Sequence, residues 1–162
     1  MLSEIPTFVF KTFPDKENLC TIKKNTSRFT NEVLKQRLSC IPIHIKDITN
    51  FPINDYLIEL DVKNDTDKIM YITTDDLKIK NKTNNAYLTD EQRREVFPPN
   101  KITNDYIIIS RLRPSLSPEI PGEHLKFEAD LDIGIAKQDG AFNVVSTCFY
   151  TNTLDKIRIN QI

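Results

Sequence analysis

Glycine is scarce in this chain of 162 residues, occurring at 122, 134 and 140 only. Those positions assemble neither a Walker loop nor a Gly-x-Gly-x-x-Gly run, so the glycine-rich phosphate cradles are excluded. Cysteine is equally sparse. Cys20, Cys40 and Cys148 are far apart and odd in number, the pattern of reduced intracellular thiols and not of a disulfide framework. No apolar run is long enough to span a bilayer, and no signal-peptide pattern opens the chain. Without secretion, the Asn-x-Ser/Thr matches at Asn25, Asn64 and Asn81 carry no glycosylation meaning. Nor is there an excess of either charge: 22 basic residues face 23 acidic ones, for a net charge of −1. That balance argues against a protein whose main task is neutralising phosphates.

Catalytic and metal-binding constellations are missing as well. Cys40 and His44 are four apart and His124 is distant, but no Cys-x-x-Cys or histidine pair accompanies them. No nucleophile elbow occurs. Asp75 and Asp76 are adjacent, so in a strand their carboxylates point to opposite faces. The sequence therefore predicts no catalytic residue, no metal and no cofactor. Lys78, Lys80 and Lys82 alternate, Arg93 and Arg94 follow, and Arg111 and Arg113 flank Leu112. Aromatic residues are not interleaved with these charges as nucleic-acid stacking platforms require, so a solvated or salt-bridged face is the simpler account.

What is present is a globular composition, 39% hydrophobic and 28% charged, sufficient for one ordinary domain or two small ones. Residues 5–10 and 18–25 read as two strands around a turn at Pro14-Asp15-Lys16. Thr30 is placed to cap a helix over 31–39, with Val33, Leu34, Leu38 and Ile41 on one side and Pro42 as its stop. An extended segment starts at Ile43-His44-Ile45. Residues 56–63 alternate as a half-buried strand, 64–67 turn, and 68–73 return. Residues 75–79 continue as a second extended piece, and Thr89 caps a short helix over 90–95 that Pro98-Pro99 blocks. Residues 106–112, 123–131 and 142–150 complete the strands. Strands outnumber helices at hairpin-like spacing, which predicts an α+β fold, mostly antiparallel.

Asn25-Thr26, Asn31-Glu32, Leu34, Arg37-Leu38 and Ile41-Pro42 form a motif that resembles the alpha-like subunits of multisubunit DNA-dependent RNA polymerases. This family includes the third-largest subunit of eukaryotic RNA polymerase II, its archaeal counterpart and, more distantly, bacterial alpha. Asn31 replaces the family's usual aspartate, and Ser39-Cys40 replaces Gly-Leu. Three later segments resemble the family in the same order. Leu57-Ile58-Glu59-Leu60 through Asp76-Leu77-Lys78-Ile79 is similar to its insert domain, and residues 107–114 to its Ile-x-Lys-Leu-Arg strand. Gly134-Ile135-Ala136-Lys137 with Phe142 is similar to its Gly-Ile-Gly/Ala-Lys segment, Phe142 standing for a tryptophan. The paired-arginine helix that precedes the motif in the family, and the long helix that ends it, have no counterpart, so an excised or shortened middle portion is expected. Nor is there a counterpart to the cysteine cluster of some members.

The resemblance implies a non-catalytic assembly subunit. It would pair with a small alpha-like subunit and dock the second-largest subunit, meeting nucleic acid only through the assembled enzyme and no membrane. It implies partial dimerisation-domain elements over 1–43, an insert domain over 44–125 and a return over 126–162. Residues 24–42 and 134–145 would be the contact surfaces, with Asn25, Glu32, Arg37, Leu38, Arg111, Arg113, Lys137, Asp139 and Phe142 as candidate contacts. The chemistry of Arg37 leaves open a partner within the chain or across a subunit boundary. The nucleus is the implied location or, for a viral enzyme, a cytoplasmic replication site or the virion. A composition rich in lysine, asparagine, isoleucine and threonine suits an AT-rich genome such as that of a large DNA virus. The competing expectation is a free-standing β-rich binding module for nucleic acid or protein.

Overall fold

A computed structural model describes residues 2–45, 47–48, 51–117 and 119–153. These contain two α-helices and eight strands in antiparallel sheets, the α+β class expected from the sequence. The largest sheet has four strands: β2 (Cys20–Asn25), β7 (His124–Ala129), β3 (Tyr56–Lys63) and β5 (Lys78–Asn81), in that spatial order. Two ribbons accompany it. β1 (Thr7–Phe10) pairs with β8 (Leu131–Gly134), and β4 (Met70–Thr73) pairs with β6 (Ile108–Leu112).

The turn between β1 and β2 forms, as a short 3-10 segment at Asp15–Glu17, but the two strands do not pair with each other. Phe10 faces Leu131 and Cys20 faces Ala129, so both lie against one returning stretch, residues 124–134. Residues 11–19 are an excursion from this long pairing. The Leu19 N–H donates to the Lys11 carbonyl at 2.8 Å, and the Asp130 N–H donates to the Leu19 carbonyl at 3.0 Å. Lys11 lies 2.8 Å from Glu17 and 3.3 Å from Asp132. Bonds to those carboxylates, Glu17 first, hold its ammonium above the ordinary lysine range.

β3 keeps the predicted alternation, burying Ile58 and Leu60. The returning strand after it does not pair with it. Asn64 explains why. Its side-chain amide is fully buried and donates to the carbonyls of Lys68 at 2.8 Å and Leu112 at 2.9 Å. Its oxygen accepts from the Thr66 N–H and hydroxyl at 3.0 and 2.7 Å. That side chain closes the turn and ties it to the end of β6, so β4 runs along β6 while β5 takes the place beside β3.

The first helix, α1 (Asn31–Ser39), starts where Thr30 was placed as its cap, the Thr30 hydroxyl accepting from the Val33 N–H at 3.5 Å. Leu34 and Leu38 are buried, and Ile41 is buried just beyond the helix. Val33 is not with them: it is 39% exposed, lying on the flank a residue short of the core stripe. The second helix, α2 (Asp90–Val96), carries a reciprocal capping box between Thr89 and Gln92. Phe97 follows it and stacks on Phe10 at 6.3 Å between ring centroids. Residues 43–45 join no sheet; the His44 N–H instead donates to the Val96 carbonyl at 2.9 Å.

The strand expected over 142–150 is absent. Gly140–Phe142 is a 3-10 turn, and residues 143–150 form neither strand nor helix. Local β propensity gives no strand without a neighbouring edge to accept its backbone bonds. Residues from all three expected segments, 1–43, 44–125 and 126–162, share one core: Phe8 and Leu34, Ile58 and Leu112, Phe127 and Leu131. Among the described residues no helix is long and apolar enough to cross a membrane.

The turn at Asn64 can be tested by substitution. A Cβ on Gly122 would fall on the backbone carbonyl of Asn64. Gly122→Ala is therefore expected to cost roughly 3 kcal/mol or more in urea unfolding. Asn64→Ala should cost about 2–3 kcal/mol by removing the buried amide's bonds to the Lys68 and Leu112 carbonyls and to Thr66. Wild-type stability of either variant would refute the account of this turn.

Acid should weaken the four-stranded sheet. Asp61 accepts from Lys126 and contacts His124, both at 2.6 Å, and these bonds, Lys126 first, hold its carboxyl below the ordinary 3.8. Because the folded pKa is the lower one, the stabilisation is present above 3.8 and is lost as pH falls through the folded value. The unfolding midpoint should drop over that acid window, and Asp61→Asn should flatten the drop in a pH series of melts.

Candidate interaction surfaces

The loop joining β2 to α1 is organised by Asn25. Its amide donates to the Phe29 carbonyl at 2.8 Å and to Asn31 Oδ1 at 2.9 Å, while its oxygen accepts from the Ser27 N–H and hydroxyl at 3.0 and 2.7 Å. Asn25 therefore sets where the helix begins. Glu32, in the first turn of α1, is exposed, and its own backbone N–H, then the Thr30 hydroxyl, hold its carboxyl below the usual range. Leu38 is fully buried.

Arg37 pairs within the chain. Its Nε donates to the Ile109 carbonyl at 2.8 Å and its Nη2 to the Ile108 carbonyl at 2.7 Å, with the guanidinium carbon 5.3 Å from the centre of the Phe29 ring. Successive strand carbonyls ordinarily point in opposite directions. Here β6 carries an extra residue, since Ile72 faces Ser110 while the next residue, Thr73, faces Ile108. That bulge at Ile109 lets one arginine fork receive both carbonyls. The guanidinium binds α1 to the ribbon of β4 and β6.

Residues 134–145 meet the far end of α1 across a groove of about 430 Å3. Phe8 and Val9 of β1 form its floor, Cys40 to His44 one wall, and Ala141 to Val144 the other. Phe142 is buried and lies against Gly134 so closely that a Cβ there would stand 2.7 Å from its Cδ2 and 2.9 Å from Val9 Cγ2. Asp139 accepts from the Ala141 N–H at 2.9 Å and caps the turn that presents Phe142. Lys137 is exposed, 3.6 Å from Glu4, and its backbone N–H donates to the Ser3 carbonyl at 2.9 Å. A neighbouring depression of about 420 Å3 has Glu32, Asp139, Asp15 and one cation, Lys35, on its sides and the exposed ring of Phe13 beside them.

The candidate contacts thus divide. Glu32 and Asp139 share one depression, and Phe142 borders the adjoining groove. Arg111 and Arg113 lie elsewhere, on β6 and just after it, around a small pocket with Arg28. Many of the other basic residues face their own acids: Lys80 is 3.6 Å from Glu59, Lys82 is 2.8 Å from Asp130, and Arg93 is 2.8 Å from Asp75. Cys40 and His44 line the groove, whereas His124 is paired with Asp61 on the four-stranded sheet. Sequence reasoning missed Asn64 and Glu123. Glu123 is 6% exposed and holds Arg113 by both its Nε, at 2.5 Å, and its backbone N–H, at 2.7 Å. A buried acid ten positions from an arginine leaves no periodic signal.

Removing the Arg37 fork is expected to cost about 1–2 kcal/mol, because two charge-assisted bonds are lost from a partly exposed site. Arg37→Ala should unfold at lower urea than wild type. Arg37→Lys should recover little, since one ammonium lacks the planar fork. Equal midpoints for all three proteins would show that the fork holds nothing.

No family model matches the chain, and no curated protein matches it.

Proposed function

We propose that this chain is a non-catalytic, alpha-like assembly subunit of a DNA-directed RNA polymerase. It pairs with a small alpha-like subunit and offers a docking surface to the second-largest subunit. The observation that carries the proposal is the groove between Ile41-Pro42-Ile43 and Phe142. Two segments singled out by their resemblance to that family, and separated by about a hundred positions, border one concave and largely apolar surface. A subunit interface needs such a core with a polar rim.

The residues around these two hollows then have physical roles. Val144, 49% exposed at the groove, supplies apolar area worth roughly 1.5 kcal/mol when covered. Glu32, Asp139 and Asp15 outnumber Lys35 around the adjoining depression, a net negative edge that orients a basic partner group. Asn25, Arg37 and Leu38 act from inside the chain, fixing the helix whose C-terminal end forms the groove wall. The enzyme operates in the nucleus or, for a viral polymerase, in a cytoplasmic replication site or the virion.

Co-expression with the small alpha-like subunit and the second-largest subunit of the same genome tests this. The expected result is co-elution of one copy of each on size exclusion. Val144→Asp should weaken assembly by tenfold or more, the penalty for burying an unpaired carboxylate, without lowering the melting temperature. A chain that joins neither subunit, or a Val144→Asp variant that assembles as wild type, would overturn the proposal.

A further inference from the structure

Three arginines from two distant parts of the chain converge on one small pocket. Arg28 comes from the loop between β2 and α1, Arg111 from β6, and Arg113 from the residue after β6. The pocket measures about 100 Å3, and Ile69 completes its wall. Arg113 is already neutralised by Glu123. Among the described residues, Arg28 and Arg111 carry no ion pair. Like charges gathered at one point repel, and an arginine fork is shaped for two oxygen acceptors, so these guanidinium donors select an anion.

The size and surroundings narrow the class of that anion. A pocket of this volume takes a carboxylate or phosphate group but no sugar or base. Single-stranded nucleic acid asks for a charged track with successive stacking platforms, and here the charges meet at one point in a chain of net charge −1. Beside the pocket is an open sheet edge: β4 has β6 on one side and no strand on the other among the described residues. Tyr71 of β4 stands directly across from Arg111 and is 56% exposed, and Ile69 is 54% exposed. An unprotected edge offers backbone donors and acceptors in register for an added strand.

We propose that the β4 edge and the arginine pocket together bind an extended acidic segment of a protein partner. The partner backbone pairs along Met70–Ile72, short of Thr73, whose N–H already donates to Asp76 Oδ2 at 2.8 Å; one of its carboxylates enters between Arg28 and Arg111, and apolar side chains cover Tyr71 and Ile69. This site uses other residues than the groove and does not rest on the polymerase assignment.

The test is fluorescence anisotropy of the full chain with a labelled short peptide of alternating glutamate and valine. Three comparison probes accompany it: the same peptide with lysine for glutamate, the same peptide with alternate amides N-methylated, and a single-stranded oligonucleotide. The glutamate peptide is expected to bind. Arg28→Ala and Arg111→Ala should each weaken it about tenfold, the loss of one charge-assisted pair. The lysine replacements should recover part of that loss, and N-methylation should weaken binding. Both arginines are exposed, so the variants should melt with wild type. Unchanged affinity in both alanine variants, or equal binding of the lysine peptide, would overturn the proposal. So would equal binding of the N-methylated peptide, or arginine-dependent binding of the oligonucleotide tighter than that of the acidic peptide.

Discussion

Backbone pairing along residues 124–134 is the constraint on which the rest of the molecule depends. β7 is bonded on both sides, to β2 and to β3, and its continuation as β8 takes β1. The period of two along β7 turns Leu125, Phe127 and Ala129 inward, all buried. A fully covered phenylalanine contributes on the order of 2–3 kcal/mol, so this strand supplies hydrophobic stabilisation as well as backbone partners. It also positions α1. Asn25 lies opposite Leu125 at the end of β2, and the loop that Asn25 organises leads straight into the helix.

The ribbon of β4 and β6 is held differently. It shares no strand pairing with the four-stranded sheet and is moored by side chains that grip backbone. Asn64 binds the Leu112 carbonyl, Glu123 binds the Arg113 N–H, and Arg37 binds two carbonyls at the bulge. Each mooring bonds backbone groups at a strand end or bulge. Apolar packing through Ile72, Ile109 and Leu112 adds area to the attachment, but the polar bonds fix its orientation.

Much of the local structure was legible because short-range chemistry determines it. The Thr30 and Thr89 caps, the alternation of Ile58 and Leu60, and the break at Pro98-Pro99 follow from neighbours within a few residues. Partnership between strands was not legible in the same way. Hairpins were expected from turn chemistry, yet β1, β2 and β4 each took partners determined by distant register and by the buried amide of Asn64. The candidate surfaces divide along the same line. A motif marked Asn25, Arg37 and Phe142, but only three-dimensional packing put Cys40 to His44 beside Ala141 to Val144, or Arg28 beside Arg111.

The looped-out residues 11–19 have a consequence in the time domain. Lys11 and its partner Asp132 are 121 positions apart, and the strands around them pair over similar separations. During synthesis from the N-terminus, β1 and β2 leave the ribosome long before residues 124–134 exist to receive them. Their apolar residues, Phe8 and Phe10 among them, must wait uncovered while roughly a hundred residues are added, several seconds at ordinary elongation rates. A topology dominated by such distant pairings folds slowly even once complete. For a new chain, the decisive event is the arrival of residues 124–134.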